Sequence, residues 1–223
     1  MMSDLRAGRD GRRQLDRASR RRARELALQL LFSLDLSPPQ GTQGVNVALQ
    51  RGRERALTAE AELAFAAEDL PRAEAATAAL LQLDSRSPRA REYRAALDRK
   101  GPMPLPFDSD ERLEYEASSA TTEVLDLADQ LTRGVMSALP DLDARIGKAS
   151  MNWRVSRMAL VDRNILRLAC HELLEMPETP PRVVLNEAIE IAKRYGTAES
   201  RAFVNGVLDK LAALLRPEAP PPA

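Results

Sequence analysis

Cysteine and histidine each occur once in the 223 residues, as the neighbours Cys170 and His171, and aromatic side chains make up only 4% of the chain. A single cysteine excludes an intrachain disulfide and points to a reducing compartment. Neighbours at i and i+1 on a helix do not face each other, so a Cys-His nucleophilic pair is not expected, and a zinc site lacks ligands. No metal cofactor and no Cys-His catalytic pair is therefore expected. Long apolar runs are missing too: none approaches the ~20 residues of a membrane span. The N-terminal arginines lead into no signal-peptide core, because Leu26 to Leu36 reads as an amphipathic helix. The expectation is a cytoplasmic protein with no membrane contact.

An overall excess of charge is also absent, since 33 basic and 33 acidic residues cancel. Net charge by itself names no nucleic-acid partner. Distribution says more, because residues 1 to 24 hold nine arginines against Asp4, Asp10 and Asp16, leaving the rest of the chain with a matching acidic excess. A basic arm on an acidic body hints at an anionic partner. Lysine is scarce, at four against twenty-nine arginines, a ratio that coding bias is sufficient to explain.

What is present is helical periodicity. Met158, Val161, Ile165, Leu168 and Ala169 recur at spacings of three and four, and Pro177, Pro180 and Pro181 end that helix. A second helix carries Val184, Ala188, Ile191 and Tyr195, with Lys193 and Arg194 in its last turn and Gly196 placed for a left-handed C-terminal residue. A third has Val204, Leu208, Leu211 and Leu215, and its Gly206, costly inside a helix by about 1 kcal/mol, suggests a neighbouring helix approaching closely. Near the start, Ser19 is a candidate N-cap for a helix with Leu26, Leu30 and Leu34 on its stripe, widened by Ala27 and Leu31. Arg20, Arg21, Arg22 and Arg24 then occupy first turns where the helix dipole disfavours cations, so local helix stability does not explain them. They form either a solvated face or a phosphate-binding cluster, for which Arg20 and Arg24, one turn apart, have the bidentate guanidinium geometry. Between Gly41 and Pro106 the chain is alanine-rich and helical in period, faintly like a single tetratricopeptide helix pair, and it closes on a proline-rich linker from Gly101 to Pro106. Another helix is expected from Thr122, with Val124, Leu127, Ala128 and Leu131 on one face.

The blocks Trp153-Arg154-Val155-Ser156-Arg157, Val161 to Ala169, Asn186 to Lys193 and Phe203 to Asp209, in that order, resemble the NusB transcription antitermination family. Arg20 to Glu25, leading into Leu26 to Phe32, looks like that family's arginine-rich first helix. The resemblance covers residues 19 to 37 and about 115 to 215, and residues 41 to 106 depart from it. Periodicity alone gives an all-α protein; the resemblance adds two packed helical bundles, with the departing segment an inserted helical hairpin. The expected organisation is a disordered basic arm over 1–18, a NusB-like RNA-binding domain from 19–40 and 107–216, the removable insertion 41–106, and a disordered tail over 217–223.

The same resemblance implies a non-enzymatic RNA-binding antitermination factor. Its partners would be boxA-type single-stranded RNA of ribosomal RNA leaders, the ribosomal small-subunit protein NusE, and the RNA polymerase antitermination complex. On the family pattern Arg20, Arg21, Arg22 and Arg24 contact the RNA backbone. Glu199, Ser200, Arg201, Phe203 and Asn205 line the base-reading side, and Phe32 and Asp162 meet the protein partner. Phe203 fits a core stripe with Val207 and Leu211 equally well, and Asp162 also suits an exposed helix start. Two other classes compete: a protein-interaction adaptor using the inserted hairpin, and the NusB-like part of a ribosomal RNA cytosine methyltransferase. The second requires a large α/β domain, for which the eight residues after Leu215 leave no room in the sequence given.

Overall fold

The first helix starts two residues before Ser19, because a better cap lies upstream. In the computed structural model, which describes residues 15–39, 41–99, 120–151 and 153–217, the Asp16 carboxylate accepts the Ser19 N–H at 2.8 Å and caps α1 (Arg17–Leu36). An N-cap carboxylate satisfies a free N–H and meets the positive end of the helix dipole, which lowers its pKa through the backbone and side-chain bonds to Ser19. Eight more α-helices follow among the described residues, with no strand: α2 (Gly41–Ala66), α3 (Leu70–Leu83), α4 (Pro88–Arg99), α5 (Thr122–Ser137), α6 (Leu139–Ala149), α7 (Leu160–Glu175), α8 (Pro181–Tyr195) and α9 (Ser200–Leu215). The basic arm to residue 14, the linker 101–106 and the tail from 218 lie outside the described residues.

Local chemistry accounts for most boundaries. Thr121 caps α5 through the Val124 N–H, and Pro140 and Pro181 sit in first turns, where a missing N–H is harmless. Met158, read as part of the long helix, precedes it: a 3-10 turn at Val155–Arg157 ends there, and α7 begins at Leu160. Two glycine expectations change. Gly196 is extended (φ −94°, ψ −173°) and not left-handed. It is small because a Cβ there would lie 2.5 Å from the Ser200 side chain, whose Oγ accepts the Thr197 N–H at 2.8 Å. Gly206 has no neighbouring helix, since a Cβ built on it would meet nothing within 4 Å. The close approach lies elsewhere, at Gly134 on α5, where a Cβ would fall 2.1 Å from His171 Nε2 on α7.

Two apolar clusters organise the molecule. The larger joins α1 and α5 to α9 through Leu28, Leu31, Leu131, Leu142, Ile146, Ile165, Leu173, Ile191, Leu208 and their neighbours. Cys170 is sealed inside it, and burial pushes its thiol up to about 12. The smaller gathers Ala23 and Leu26 of α1, Ala56, Leu57 and Ala61 of α2, Leu80 of α3, Tyr93 of α4, and Val124, Leu125 and Ala128 of α5. Within the segment 41–99, α2 and α3 form the helical hairpin, and α4 packs on α3 as a third helix begun at Pro88. Helix α2 lies directly on α1, where a Cβ at Gly52 would fall 2.4 Å from Leu30 Cδ2. Glu60 of α2 accepts the backbone N–H of Ala120 at 3.1 Å.

Candidate nucleic-acid interface

The arginines of α1 are only partly available to a ligand, because tertiary carboxylates hold them. Arg24 is buried and bonds bidentately to Glu172 of α7 at 2.8 and 2.7 Å. Arg22 is also buried, with its Nη1 3.4 Å from Glu25 Oε2. Arg21 grips Glu187 of α8 at 2.6 and 3.0 Å, and Arg17 donates to the same carboxylate at 2.8 Å. Burial alone would raise the Glu187 pKa; Arg21 and Arg17 outweigh it and hold the carboxyl below its usual range. Arg20 is half-buried and donates to the Leu15 carbonyl at 3.1 Å. Arg21 and Arg24, cations that the helix dipole opposes, are thus stabilised by α8 and α7, a reason that spacing within α1 could not reveal. Arg22 and Arg24 were expected on the phosphate-facing surface, but in this structure both are buried, Arg24 joining α1 to α7 and Arg22 beside Glu25 of its own helix.

Arg17 is the residue the sequence reading passed over. Its side chain is 73% exposed, and it stands one turn before Arg21 on the same face. The i, i+4 spacing was visible; the assumption that order begins at Ser19 concealed it. Arg17, Arg20 and Arg21 are the arginines of α1 that reach the surface.

The α9 residues separate into two flanks. Arg201 and Asn205 line a shallow depression of about 380 Å³ with Ile189, Ala198 and Ala202, on the α8 side. Asn205 Nδ2 donates to Asp209 at 3.0 Å, and exposed Glu199 accepts from Thr197 Oγ1 at 3.0 Å. Ser200 is buried in its turn and offers nothing outward. Phe203 points the other way and meets Trp153 edge to face, with ring centroids 6.0 Å apart and planes at 70°. At 100° per residue, positions 201 and 205 stand on opposite sides of the axis from 203, so one base-reading row is geometrically excluded. Phe203 is half-buried against the larger core, which joins its two readings: it packs with one side and leaves another open.

Glu190 links the α1 and α9 arginines electrostatically. Glu190 of α8 is held below its usual pKa first by its hydrogen bond to Lys193 and also by the charges of Arg21 and Arg201, so both arginines lie within electrostatic reach of one half-buried residue. At the far end of α1, Asp35 accepts from Arg163 at 3.0 Å and Asn164 at 2.9 Å, joining α1 to the start of α7. Burial raises the Asp35 pKa and these partners more than reverse it. Phe32 precedes Asp35 by three residues on α1, and Asp162 adjoins Arg163 at the start of α7. Phe32 is half-buried, whereas Asp162 is buried with Oδ1 lacking a hydrogen-bond partner; it is not the exposed helix start considered from sequence.

Among the described residues no group of three or more His, Cys, Asp or Glu could hold a metal ion, and no helix is long and apolar enough to cross a membrane. Comparison with known proteins agrees with the motif blocks. The chain is 58% identical over 85 residues to the transcription antitermination protein NusB of Sorangium cellulosum, an alignment covering 38% of this chain and 61% of that protein. It is 56% identical over 95 residues to that of Anaeromyxobacter dehalogenans, covering 43% and 66%. The matched stretches thus span about two thirds or less of these relatives' own length. A solved structure of T. maritima NusB aligns over 86% of this chain and 89% of that one, at 26% identity and a TM-score of 0.49. The NusB family model matches residues 74–213, more than half of the chain, and the chain therefore belongs to the NusB family.

Proposed function

We propose that this protein is a non-catalytic transcription antitermination factor of the cytoplasm that binds boxA-type single-stranded RNA of ribosomal RNA leaders together with NusE, within the RNA polymerase antitermination complex. The observation that carries this reading is the pair Arg17 and Arg21 on one face of α1, with Arg21 and Arg201 both within electrostatic reach of Glu190 on α8 and Asn205 beside Arg201. Guanidinium groups neutralise phosphates, and the amide and aromatic side chains suit unpaired bases. Arg24 serves this surface indirectly, by fixing α1 against α7. Phe32 and Asp162, at the opposite end of α1, form the protein-partner corner.

The test is the affinity for a boxA RNA against a scrambled one, with and without NusE, at several salt concentrations. Binding should prefer boxA, strengthen with NusE, and weaken with salt at about 0.7 in the logarithmic slope per phosphate contacted. Glutamate at positions 17 and 21 should lower both affinity and slope. A slope unchanged by those substitutions would remove the arginines from the interface.

A further inference from the structure

Trp153 is the only tryptophan in the chain, and it is 58% exposed although tryptophan is usually well buried. Its position is held. Ser150 Oγ donates to the Trp153 carbonyl at 2.8 Å, and the Trp153 N–H returns a bond to the Ser150 carbonyl at 3.3 Å. The edge-to-face contact with Phe203 orients the indole, and such a contact uses one aromatic edge and leaves a π-face free. Met151 beside it is 74% exposed and stands at φ +45°, a left-handed conformation that an unbranched side chain adopts at a cost. The turn thus turns two large apolar groups outward when burial would have been the favourable outcome. The cations around them are Arg154 and Arg157, both exposed, and Lys210, whose Nζ lies 3.5 Å from Met151 Sδ.

Gly206 adds a route to this corner. On α9, Ala202 and Gly206 are exposed between the flank of Arg201 and Asn205 and the flank of Phe203, and nothing within 4 Å would obstruct a Cβ at Gly206. Internal packing therefore does not require the glycine, whereas a low saddle over the helix lets an extended backbone approach closely.

We infer that Trp153, backed by Phe203, is a stacking platform for an unpaired base of single-stranded RNA, reached by a strand crossing α9 over Ala202 and Gly206 from the Arg201–Asn205 depression. This rests on the RNA-binding reading above and extends its surface onto the turn after α6. A base is the occupant that fits: the exposed group is a flat π-face, Arg154, Arg157 and Lys210 supply cations that match phosphates, and the patch shares Phe203 with the proposed interface. Stacking of this kind is tolerant of base identity, so the platform contributes affinity and register, and sequence discrimination falls to the polar groups of the other flank.

The single tryptophan makes the test direct. The full chain is titrated with a boxA-containing single-stranded RNA, following binding by anisotropy of end-labelled RNA and, separately, the intrinsic emission of Trp153. We expect the emission to be quenched in step with binding, and less so when abasic residues replace the bases that reach the turn. Trp153→Ala should weaken binding about 5- to 150-fold, the range for one stacked base, with an unchanged salt slope because no phosphate contact is removed. Trp153→Phe should recover most of the loss, and both variants should melt close to the parent. RNA binding that leaves the emission and the Trp153→Ala affinity unchanged overturns the platform while leaving the RNA reading intact. Absence of RNA binding by the parent overturns both. Self-association of the parent that Trp153→Ala abolishes, without an effect on RNA, would make the patch a contact between copies of this chain and overturn the platform as well.

Discussion

The two apolar clusters are built on opposite principles. The larger is made mainly of leucine, isoleucine and valine, including Leu131, Leu142, Ile146, Leu173 and Leu208, all essentially sealed from solvent. The smaller relies on alanine, with Ala23, Ala56, Ala61, Ala76, Ala90 and Ala128 at its contacts and Tyr93 as its largest fully buried side chain. Aliphatic bulk gives apolar area and holds helices at ordinary separations. Alanine gives little area and lets helices come close, so other bonds must add cohesion. Here they are carboxylates of α2: Glu60 takes Arg72 and the Ala120 N–H, and Glu62 takes Arg89 and the Tyr93 hydroxyl at 2.6 Å. The first is therefore expected to be sensitive to loss of volume, and the second to gain of volume or loss of a polar partner.

The strongest way to break this contrast is to remove the alanine-rich side altogether. Sequence alone suggests that residues 41–106 can be deleted, but α2 covers Leu26 and Leu30 of α1, and the smaller cluster includes Val124, Leu125 and Ala128 of α5. Replacing the segment by a short flexible linker should abolish the cooperative thermal transition followed by circular dichroism. A deletion variant that still melts sharply would show that α1 and α5 close on themselves. Next in size is Leu208→Ala in the aliphatic cluster, which should destabilise by about 2–5 kcal/mol in denaturant unfolding, the range for a buried leucine. Ala61→Leu, the reverse change in the alanine cluster, should cost about 1–3 kcal/mol through overpacking. A neutral result there would mean that the α2 contacts are loose.

Tyr93→Phe tests the polar half of the argument. It removes the hydroxyl donor from buried Glu62, which keeps Arg89, and should cost about 1–2 kcal/mol. The smallest expected effect is on pH dependence. Burial against α5 lowers the His171 pKa from 6.5, and Glu175 and Glu172 oppose this only in part. The folded state therefore binds this proton less readily than the unfolded chain. The stability that follows is fully present above pH about 6.5 and is lost progressively as pH falls toward the lower folded-state value. As His171 is the only histidine, its imidazole proton resonance can be followed without assignment, and a midpoint above 6.5 would contradict the packing at Gly134.

Helix existence and most helix ends were legible because their causes are local. Pro177 to Pro181, Thr121, Pro140 and the three-and-four spacing of leucine, isoleucine and valine act within a turn or two of themselves. Such signals survive in any tertiary context. Errors came where two local signals competed, as with Asp16 and Ser19, both acceptable caps. They also came where a glycine's reason lay in a side chain not yet placed, as at Gly196. The motif blocks carried the family, while the separation of Phe203 from Arg201 and Asn205 needed only the 100° step of the helix and was available from sequence to a stricter reading.

The fate of the arginines was not available in that way. Arg21 and Arg24 differ by three positions on one helix, yet Arg21 stays partly exposed on Glu187 and Arg24 is buried on Glu172. Those carboxylates lie 166 and 148 residues further along the chain, and no local rule pairs groups at such separations. Composition and periodicity thus settle that the chain is helical and where its turns fall, since backbone hydrogen bonding and side-chain spacing act over four residues. Which cations remain free for a ligand depends on the packing of α1 against α7 and α8, because a charge is claimed by whichever opposite charge the fold brings within about 3 Å.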